Sequence, residues 1–98
     1  MDYERFARVF RLLGNPVRIQ ILNLLARGPL CVSDLMRCTS QRQAYISQQL
    51  MFLRSMGWVE SQRNGWSVCY RLAETPETRW LKHLFEEIDP KREAMQNG

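Results

Sequence analysis

The dipeptide Asn64-Gly65, set between two short runs of strand-forming residues, limits the folds open to this chain more than any other feature. The runs cover residues 58–63 and 66–72, and every second position from Trp66 onward is apolar. Asn-Gly suits a type I′ turn, because both central residues of that turn need a positive φ. The pattern predicts a hairpin with one packed face, and such a hairpin must rest on other elements to be stable in water.

Helical periodicity accounts for the remaining ordered segments. Five segments repeat apolar residues at three- and four-residue spacing, which predicts five amphipathic helices, and Leu35 and Cys38 are expected to face inward from the short third one. Capping and turn residues mark the helix ends. The marks are Gly14 after the first helix, Asn15-Pro16 and Gly28-Pro29 around the second, Ser33 and Thr39-Ser40 around the third, Gly57 after a fourth over residues 41–56, and Thr75-Pro76 and Asp89-Pro90 around the last.

This order of elements is that of a winged helix-turn-helix, an α+β but mainly α fold with four helices, a two-stranded β-wing and a C-terminal helix. A chain of 98 residues has room for one domain, expected at residues 1–90, with residues 91–98 as a flexible tail. No segment has the roughly 20 apolar residues of a membrane span, and the N-terminus lacks the pattern of a secretory signal. We therefore expect a cytoplasmic protein that does not partner with a membrane.

The basic residues are concentrated in the first three quarters of the chain. Residues 1–72 carry ten Arg against four acids, whereas residues 73–98 carry four basic residues against six acids. Most of the basic residues are Arg, whose planar fork suits phosphate and guanine edges, and no acid lies between Asp34 and Glu60. Charge alone fits a solvated basic surface equally well, so nucleic acid is favoured as a partner only together with a recognition motif.

The predicted helix over residues 41–56 supplies that motif, because it follows a short helix and a tight break, as the major-groove helix of a helix-turn-helix does. Gln can bond adenine and Arg can bond guanine bidentately. Ser47 could bond a phosphate or its own helix, and the hairpin tip could reach a minor groove or be a plain charged turn. The candidate DNA-binding residues are Gln41, Arg42, Gln43, Tyr45, Ser47, Gln48, Gln49, Arg63 and Asn64. A solvated helix face is the competing interpretation.

The sequence resembles the ArsR/SmtB family of bacterial winged-helix repressors. Residues 13–22, LGNPVRIQIL, fit the pattern L-x-x-P-x-R-x-x-I-L of that family, and the similarity continues through residues 30–35, 46–50, 57–59 and 68–72. The resemblance implies a homodimer joined through the first and last helices, with the latter as a C-terminal dimerisation helix. It also implies that the protein represses transcription by binding an operator in double-stranded DNA and that an effector releases it.

The apolar faces of the first and last helices agree with such a dimer, because the last helix offers more apolar surface than one small core needs. The competing interpretation is that this helix only covers the core of its own chain. The candidate dimer residues are Phe6, Val9, Phe10, Trp80, Leu81, Leu84, Phe85 and Ile88.

Many members of the resembled family bind soft metals through a Cys-Val-Cys pair. Here Cys31-Val32-Ser33 keeps only the first thiol, and His83 is the only histidine. Soft ions need several thiolates or imidazoles, so we expect neither a metal site nor another cofactor.

The three cysteines, an odd number without paired spacing, predict reduced thiols rather than a disulfide framework. Cys31 and Cys38 would lie about 10 Å apart along a helix, too far to share one ion. A thiol sensor built from Cys31, Cys38 or Cys69 stays open, beside the commoner role of free cysteines as small buried hydrophobic residues.

An enzyme is not expected, because no nucleophile with a base, no carboxylate cleft and no phosphate-binding loop is recognisable. Two hypotheses compete with an effector-controlled repressor. The winged helix could serve protein–protein contacts through Trp58, Trp66 and Trp80, or the regulator could have no metal or small-molecule effector.

Overall fold

The structure is a computed structural model that describes residues 1–89. The elements in chain order are α1 (Tyr3–Leu12), α2 (Pro16–Leu25), β1 (Leu30–Cys31), α3 (Val32–Thr39), α4 (Gln43–Ser55), β2 (Val59–Asn64), β3 (Ser67–Leu72) and α5 (Pro76–Ile88). This order confirms the predicted winged helix-turn-helix. The tail predicted at residues 91–98 lies outside the described residues. In the described range, no helix has the length and apolar character needed to cross a membrane.

Two of the three predicted N-cap residues fix helix starts where the sequence predicts them. The Asn15 side chain accepts hydrogen bonds from the backbone N–H groups of Val17 and Arg18, and the Thr75 side chain caps α5 in the same manner. The predicted cap Ser33 is wrong, because α3 already begins after Cys31. The Asp34 carboxylate accepts a hydrogen bond from the Cys31 backbone N–H at 3.0 Å, which closes the first turn earlier.

The sheet has three strands in the order β1-β3-β2, rather than the two predicted. The additional strand, β1, has two residues and pairs antiparallel with β3, so that Leu30 faces Tyr70 and Cys31 faces Cys69. A strand of two residues is too short to show the alternation by which strands are predicted. It is nevertheless the element that joins the start of α3 to the wing.

The hairpin turn is placed one residue later than predicted. Asn64 pairs with Ser67, so the two-residue loop is Gly65-Trp66. Gly65 has φ of 65° and Trp66 is not among the residues with positive φ, which is the pattern of a type II′ turn with Gly at the first central position. The type I′ prediction is therefore wrong, and Trp66 lies at the tip instead of on the packed face.

One hydrophobic core joins the helices to the base of the wing. The Trp58 backbone N–H donates to the carbonyl of Leu53 at 2.9 Å, and the Ala73 N–H donates to the Trp58 carbonyl at 3.0 Å, so both ends of the hairpin are tied to the end of α4. The buried cluster consists of Leu12, Ile21, Leu22, Leu25, Leu35, Ile46, Leu50, Leu53, Trp58, Val59, Leu72 and Leu81. Truncating one of its central leucines to Ala costs roughly 2–5 kcal/mol in proteins of this kind.

Cys31 and Cys69 form a disulfide, so the prediction that all three thiols are reduced is wrong. The two residues are 38 positions apart in sequence, but the pairing of β1 with β3 brings their Cα atoms to 3.8 Å. Cys38 is free and exposed, which also corrects its predicted inward orientation. The unpredicted strand β1 is the physical reason for the first difference, since it alone makes the two cysteines neighbours.

Candidate nucleic-acid interface

The turn between α3 and α4 is held by the buried residue Thr39. Its hydroxyl donates to the carbonyl of Leu35 at 2.6 Å and accepts from the backbone N–H of Gln41 at 3.3 Å. Ser40 then takes a left-handed conformation with φ of 57°, which ends α3 and redirects the chain. These contacts fix where α4 begins, and with it the direction of the side chains at its start.

The start of α4 presents polar side chains to solvent. Arg42 is the N-cap residue and makes no side-chain cap, so its guanidinium does not bond its own helix end. Arg42, Gln43 and Gln48 are exposed, whereas Gln41, Tyr45 and Ser47 are half-buried. The structure thus brings six of the predicted DNA-binding residues together along one end and one side of α4.

Gln49 does not belong to this surface, so the prediction that it is exposed is wrong. Its side chain is only 7% exposed and accepts a hydrogen bond from Nε of Arg18 at 2.8 Å. Arg18 also donates to the carbonyl of Leu12 at 3.3 Å and lies over the ring of Phe52 at 4.3 Å. The Arg of the L-x-x-P-x-R pattern therefore clamps α1, α2 and α4 together, and Gln49 supplies one of its acceptors.

Tyr45 has a structural contact as well as a surface position. Nδ2 of Asn15 donates to the Tyr45 hydroxyl oxygen at 3.4 Å, and Asn15 is the residue that caps α2. This contact links the start of α2 to the first turn of α4. The hydroxyl hydrogen of Tyr45 stays available to another acceptor.

The wing tip carries Arg63 and Asn64, both exposed. Trp66 is fully exposed beside them, a position that the sequence interpretation missed because the turn was assigned one residue too early. The signal that could have found it is the Gly65-Trp66 order, since Gly at the first central position defines a type II′ turn. An aromatic ring fully in water next to an Arg is unusual for a residue with a purely structural role.

The two arginines of this surface have no acidic partner, unlike three arginines that form ion pairs elsewhere, among them Arg37 and Arg71. Arg71 bonds Glu60 with an Nη2 to Oε2 distance of 2.9 Å, and Arg37 bonds Asp34 at 2.6 Å. Across the part of the chain that the structure describes, Arg42 and Arg63 take part in no ion pair. The exposed residues at the start of α4 and at the wing tip are here together called the α4–wing surface, and their arginines carry positive charge that no ion pair among the described residues compensates.

A second surface, formed by α1 and α5, is apolar. Phe10 and Trp80 are 58% and 41% exposed and meet edge to face with ring centroids 6.2 Å apart. Together with Phe6 and Val9 they line a groove of about 620 Å³, and the ion pair between Arg5 and Glu77 lies at its edge. We call this the α1–α5 surface.

Not all predicted dimer residues are free to meet a partner on the α1–α5 surface. Leu81 is only 2% exposed and belongs to the core of its own chain, while Ile88 is 71% exposed. Leu84 and Phe85 are half-buried against that core. The structure therefore divides the α5 residues between internal packing and an outward face.

Metal ligands are scattered over the described residues, where no three of His, Cys, Asp or Glu come together. Cys31 is bonded to Cys69, and Cys38 is exposed on α3. His83 is exposed on α5 with its Nδ1 3.9 Å from Glu86 Oε2.

Comparison with curated proteins identifies related regulators. Residues 15–61 match the family described as bacterial regulatory protein, arsR family. The chain is 39% identical over 69 residues to the HTH-type transcriptional regulator NmtR of Mycobacterium tuberculosis, covering 70% of this chain and 58% of NmtR. It is 34% identical over 79 residues to a biofilm growth-associated repressor of Agrobacterium fabrum, covering 81% of this chain and 68% of that protein. The chain thus spans less than two thirds of NmtR itself.

Solved structures agree with the fold. The transcriptional repressor BigR of Xylella fastidiosa superposes with a TM-score of 0.82 at 29% identity, covering 91% of this chain and 88% of that one. A homodimeric winged helix-turn-helix DNA-binding domain of Mycobacterium bovis gives 0.75 at 33% identity, covering 89% and 81%. These proteins are named as regulators or repressors, not as enzymes. Sequence and structure together show that the chain belongs to the arsR family of bacterial regulatory proteins.

Proposed function

We propose that this protein is a homodimeric transcriptional repressor that binds an operator in double-stranded DNA through the α4–wing surface. The observation that carries the proposal is the charge of that surface, where Arg42 and Arg63 have no acidic partner among the described residues and no acid lies between Asp34 and Glu60. The start of α4 and the wing tip themselves therefore carry no carboxylate that would repel a phosphate.

Each residue has a role set by its place on the surface. Arg42, Gln43 and Gln48 are exposed at the start of α4 and read base edges in the major groove. Gln41, Tyr45 and Ser47 are less exposed and bond phosphates. Gln49 is left out of the contact because Arg18 occupies its carboxamide oxygen.

The wing tip contributes the flanking contact. Arg63 and Asn64 reach the sugar–phosphate backbone or the adjacent minor groove, where Arg is favoured. The fully exposed ring of Trp66 lies against the sugars there, and its indole N–H donates to a phosphate oxygen. The replacement Trp66→Ala should therefore weaken binding without changing the fold.

The homodimer forms through the α1–α5 surface. The M. bovis neighbour is a homodimer with 33% identity to this chain, and the groove between Phe10 and Trp80 leaves apolar area that a second copy would cover. A dimer presents two α4 helices to two half-sites about one helical turn of DNA apart. Because the target is chromosomal DNA, we place the protein in the cytoplasm.

The test is a titration of the protein into a labelled fragment from upstream of its own gene, followed by fluorescence anisotropy at several salt concentrations. A dimer that contacts several phosphates should lose affinity linearly in the logarithm of salt concentration. A scrambled fragment of the same length is the control for specific binding. Failure to bind either fragment overturns the proposal and favours a winged helix used for protein contacts.

A further inference from the structure

The Cys31–Cys69 disulfide joins the helix-turn-helix to the wing, the two parts of the molecule that make different contacts in the proposed DNA complex. Cys31 is the N-cap residue of α3, the helix that precedes α4 across the Thr39-Ser40 turn. Cys69 lies in the middle of β3, the strand that the turn connects to β2. Both cysteines are half-buried, whereas Cys38 is free and exposed. The bond therefore ties the helix-turn-helix to the wing within one chain.

We propose that Cys31 and Cys69 form a reversible redox-modification site whose oxidation to the disulfide weakens DNA binding. This inference rests on the proposed function for its effect on DNA, but not for the existence of the site. A disulfide in a protein that works on cytoplasmic DNA is unlike a structural bond of a secreted domain, because cytosolic disulfides are usually transient and redox-sensing.

The oxidant is a hydroperoxide. The thiolate of one cysteine attacks the peroxide oxygen and the O–O bond breaks. With one proton from solvent, a sulfenic acid and an alcohol are formed, or a sulfenic acid and water when the oxidant is hydrogen peroxide. The second thiol displaces hydroxide from the sulfenic sulfur, so the S–S bond forms and water leaves with the proton of that thiol. Two thiols are oxidised by two electrons and one hydroperoxide is reduced. A low-molecular-weight dithiol reverses the reaction by thiol–disulfide exchange.

The effect on DNA follows from the way in which β1 is attached to the wing. β1 has two residues and pairs only with β3, so in the dithiol state a two-residue ladder and the packing of Leu30 against the core hold this edge without a covalent link. In the disulfide state the wing is covalently fixed to the start of α3. Recognition requires α4 and the wing tip to fit the groove and the backbone at once, and a tethered wing has less freedom to follow the DNA. The reduced form, which a reducing cytoplasm maintains, is then the binding form.

The site is tested first without DNA. The Cys38→Ser variant, which cannot form mixed products through its exposed thiol, is treated with hydrogen peroxide, alkylated with N-ethylmaleimide, digested and mapped by mass spectrometry. We expect a linked Cys31–Cys69 peptide after peroxide and both thiols alkylated after dithiothreitol. Unlinked peptides after peroxide, or thiols that peroxide drives directly to sulfinic acid, would overturn the redox site.

The regulatory effect is tested on the upstream fragment with the same Cys38→Ser protein in both states. We expect the disulfide form to bind about tenfold more weakly, a typical coupling between two sites. Cys31→Ser and Cys69→Ser should each bind equally with and without peroxide, while wild type and Cys38→Ser should respond. Equal or tighter binding by the disulfide form overturns the regulatory effect. Absence of DNA binding in both states overturns the proposed function, and the peptide map still decides the redox site.

Discussion

The α4–wing surface and the α1–α5 surface are opposite in chemistry although one small core supports both. The first exposes Gln and Arg side chains and has no acid between Asp34 and Glu60. The second exposes aromatic rings at a groove, with the ion pair between Arg5 and Glu77 at its edge. The polar surface is stable when it faces water alone, whereas the apolar one gains free energy only when another surface covers it.

The difference arises from how α4 and α5 distribute their residues between the core and the surface. α4 buries Ile46, Gln49, Leu50 and Leu53. Its exposed residues are polar at its start, where they lie outside the core, and include Met51 and Phe52 farther along. α5 buries only Thr78 and Leu81. Changes at the exposed start of α4 should therefore alter binding without altering stability, and changes at α5 residues that line the groove should alter assembly.

The largest expected effect comes from placing a charge on the apolar surface. Trp80→Glu puts a carboxylate where the proposed dimer excludes water, so we expect the protein to become monomeric. DNA affinity should then fall by about a hundredfold or more, because the second half-site contact is no longer linked to the first. Sedimentation equilibrium and anisotropy measure the two effects.

The matched control for that change is His83→Glu, which adds the same charge to an exposed position of α5 that does not line the groove. It should leave the dimer and DNA binding intact. A Trp80→Glu protein that stays dimeric would show that the α1–α5 surface is not the interface.

The next largest effect is expected from the two arginines of the α4–wing surface. Arg42→Ala and Arg63→Ala should each weaken DNA binding by about 1–3 kcal/mol, and the salt dependence should become shallower by roughly one counterion if the lost contact is to phosphate. The control is Arg11→Ala, which removes the same charge from α1, outside the α4–wing surface. If Arg11→Ala weakens binding equally, net charge rather than the α4–wing surface determines affinity.

Substitutions at two glutamines of α4 should affect different quantities, DNA affinity in one case and stability in the other. Gln43→Ala should weaken DNA binding by about 1 kcal/mol and leave the urea midpoint of unfolding unchanged. Gln49→Ala removes the acceptor of Arg18 and should lower the free energy of unfolding by about 1.5 kcal/mol. Denaturation curves and anisotropy on both variants decide this, and a stability loss for Gln43→Ala would contradict the division of α4.

The sequence was sufficient for the features that repeat or that obey local rules. Periodic apolar residues predict all five helices, and the caps Asn15 and Thr75 act as their residue types suggest. The prediction failed where tertiary pairing decides. Nothing local distinguishes Gln49 from Gln48, because only the position of Arg18 in the folded chain turns one of them inward.

Two features of the wing were also not predictable from local sequence, namely the position of the turn and the pairing of Cys69. Asn64-Gly65 and Gly65-Trp66 both satisfy a turn rule, and the register of β2 against β3 selects the second. The Cys31–Cys69 pair depends on a two-residue strand that carries no pattern of its own. Both features belong to the parts of the molecule that we propose for function, so the candidate site was less predictable than the fold.

The smallest expected effect concerns the ion pair at the edge of the α1–α5 surface. Bonding to the backbone at the start of α5, together with the Arg5 guanidinium, holds the pKa of Glu77 below its usual value of 4.5. A carboxyl with a lowered pKa in the folded state stabilises the fold above its unfolded pKa, and that stabilisation is lost as the pH falls through the folded pKa. Glu77→Gln should therefore be less stable than wild type by about 1 kcal/mol or less at neutral pH. The difference should disappear in acid, and thermal unfolding of both proteins from pH 7 to pH 3 measures it. A difference that persists unchanged at pH 3 would mean that Glu77 stabilises α5 through packing rather than through charge.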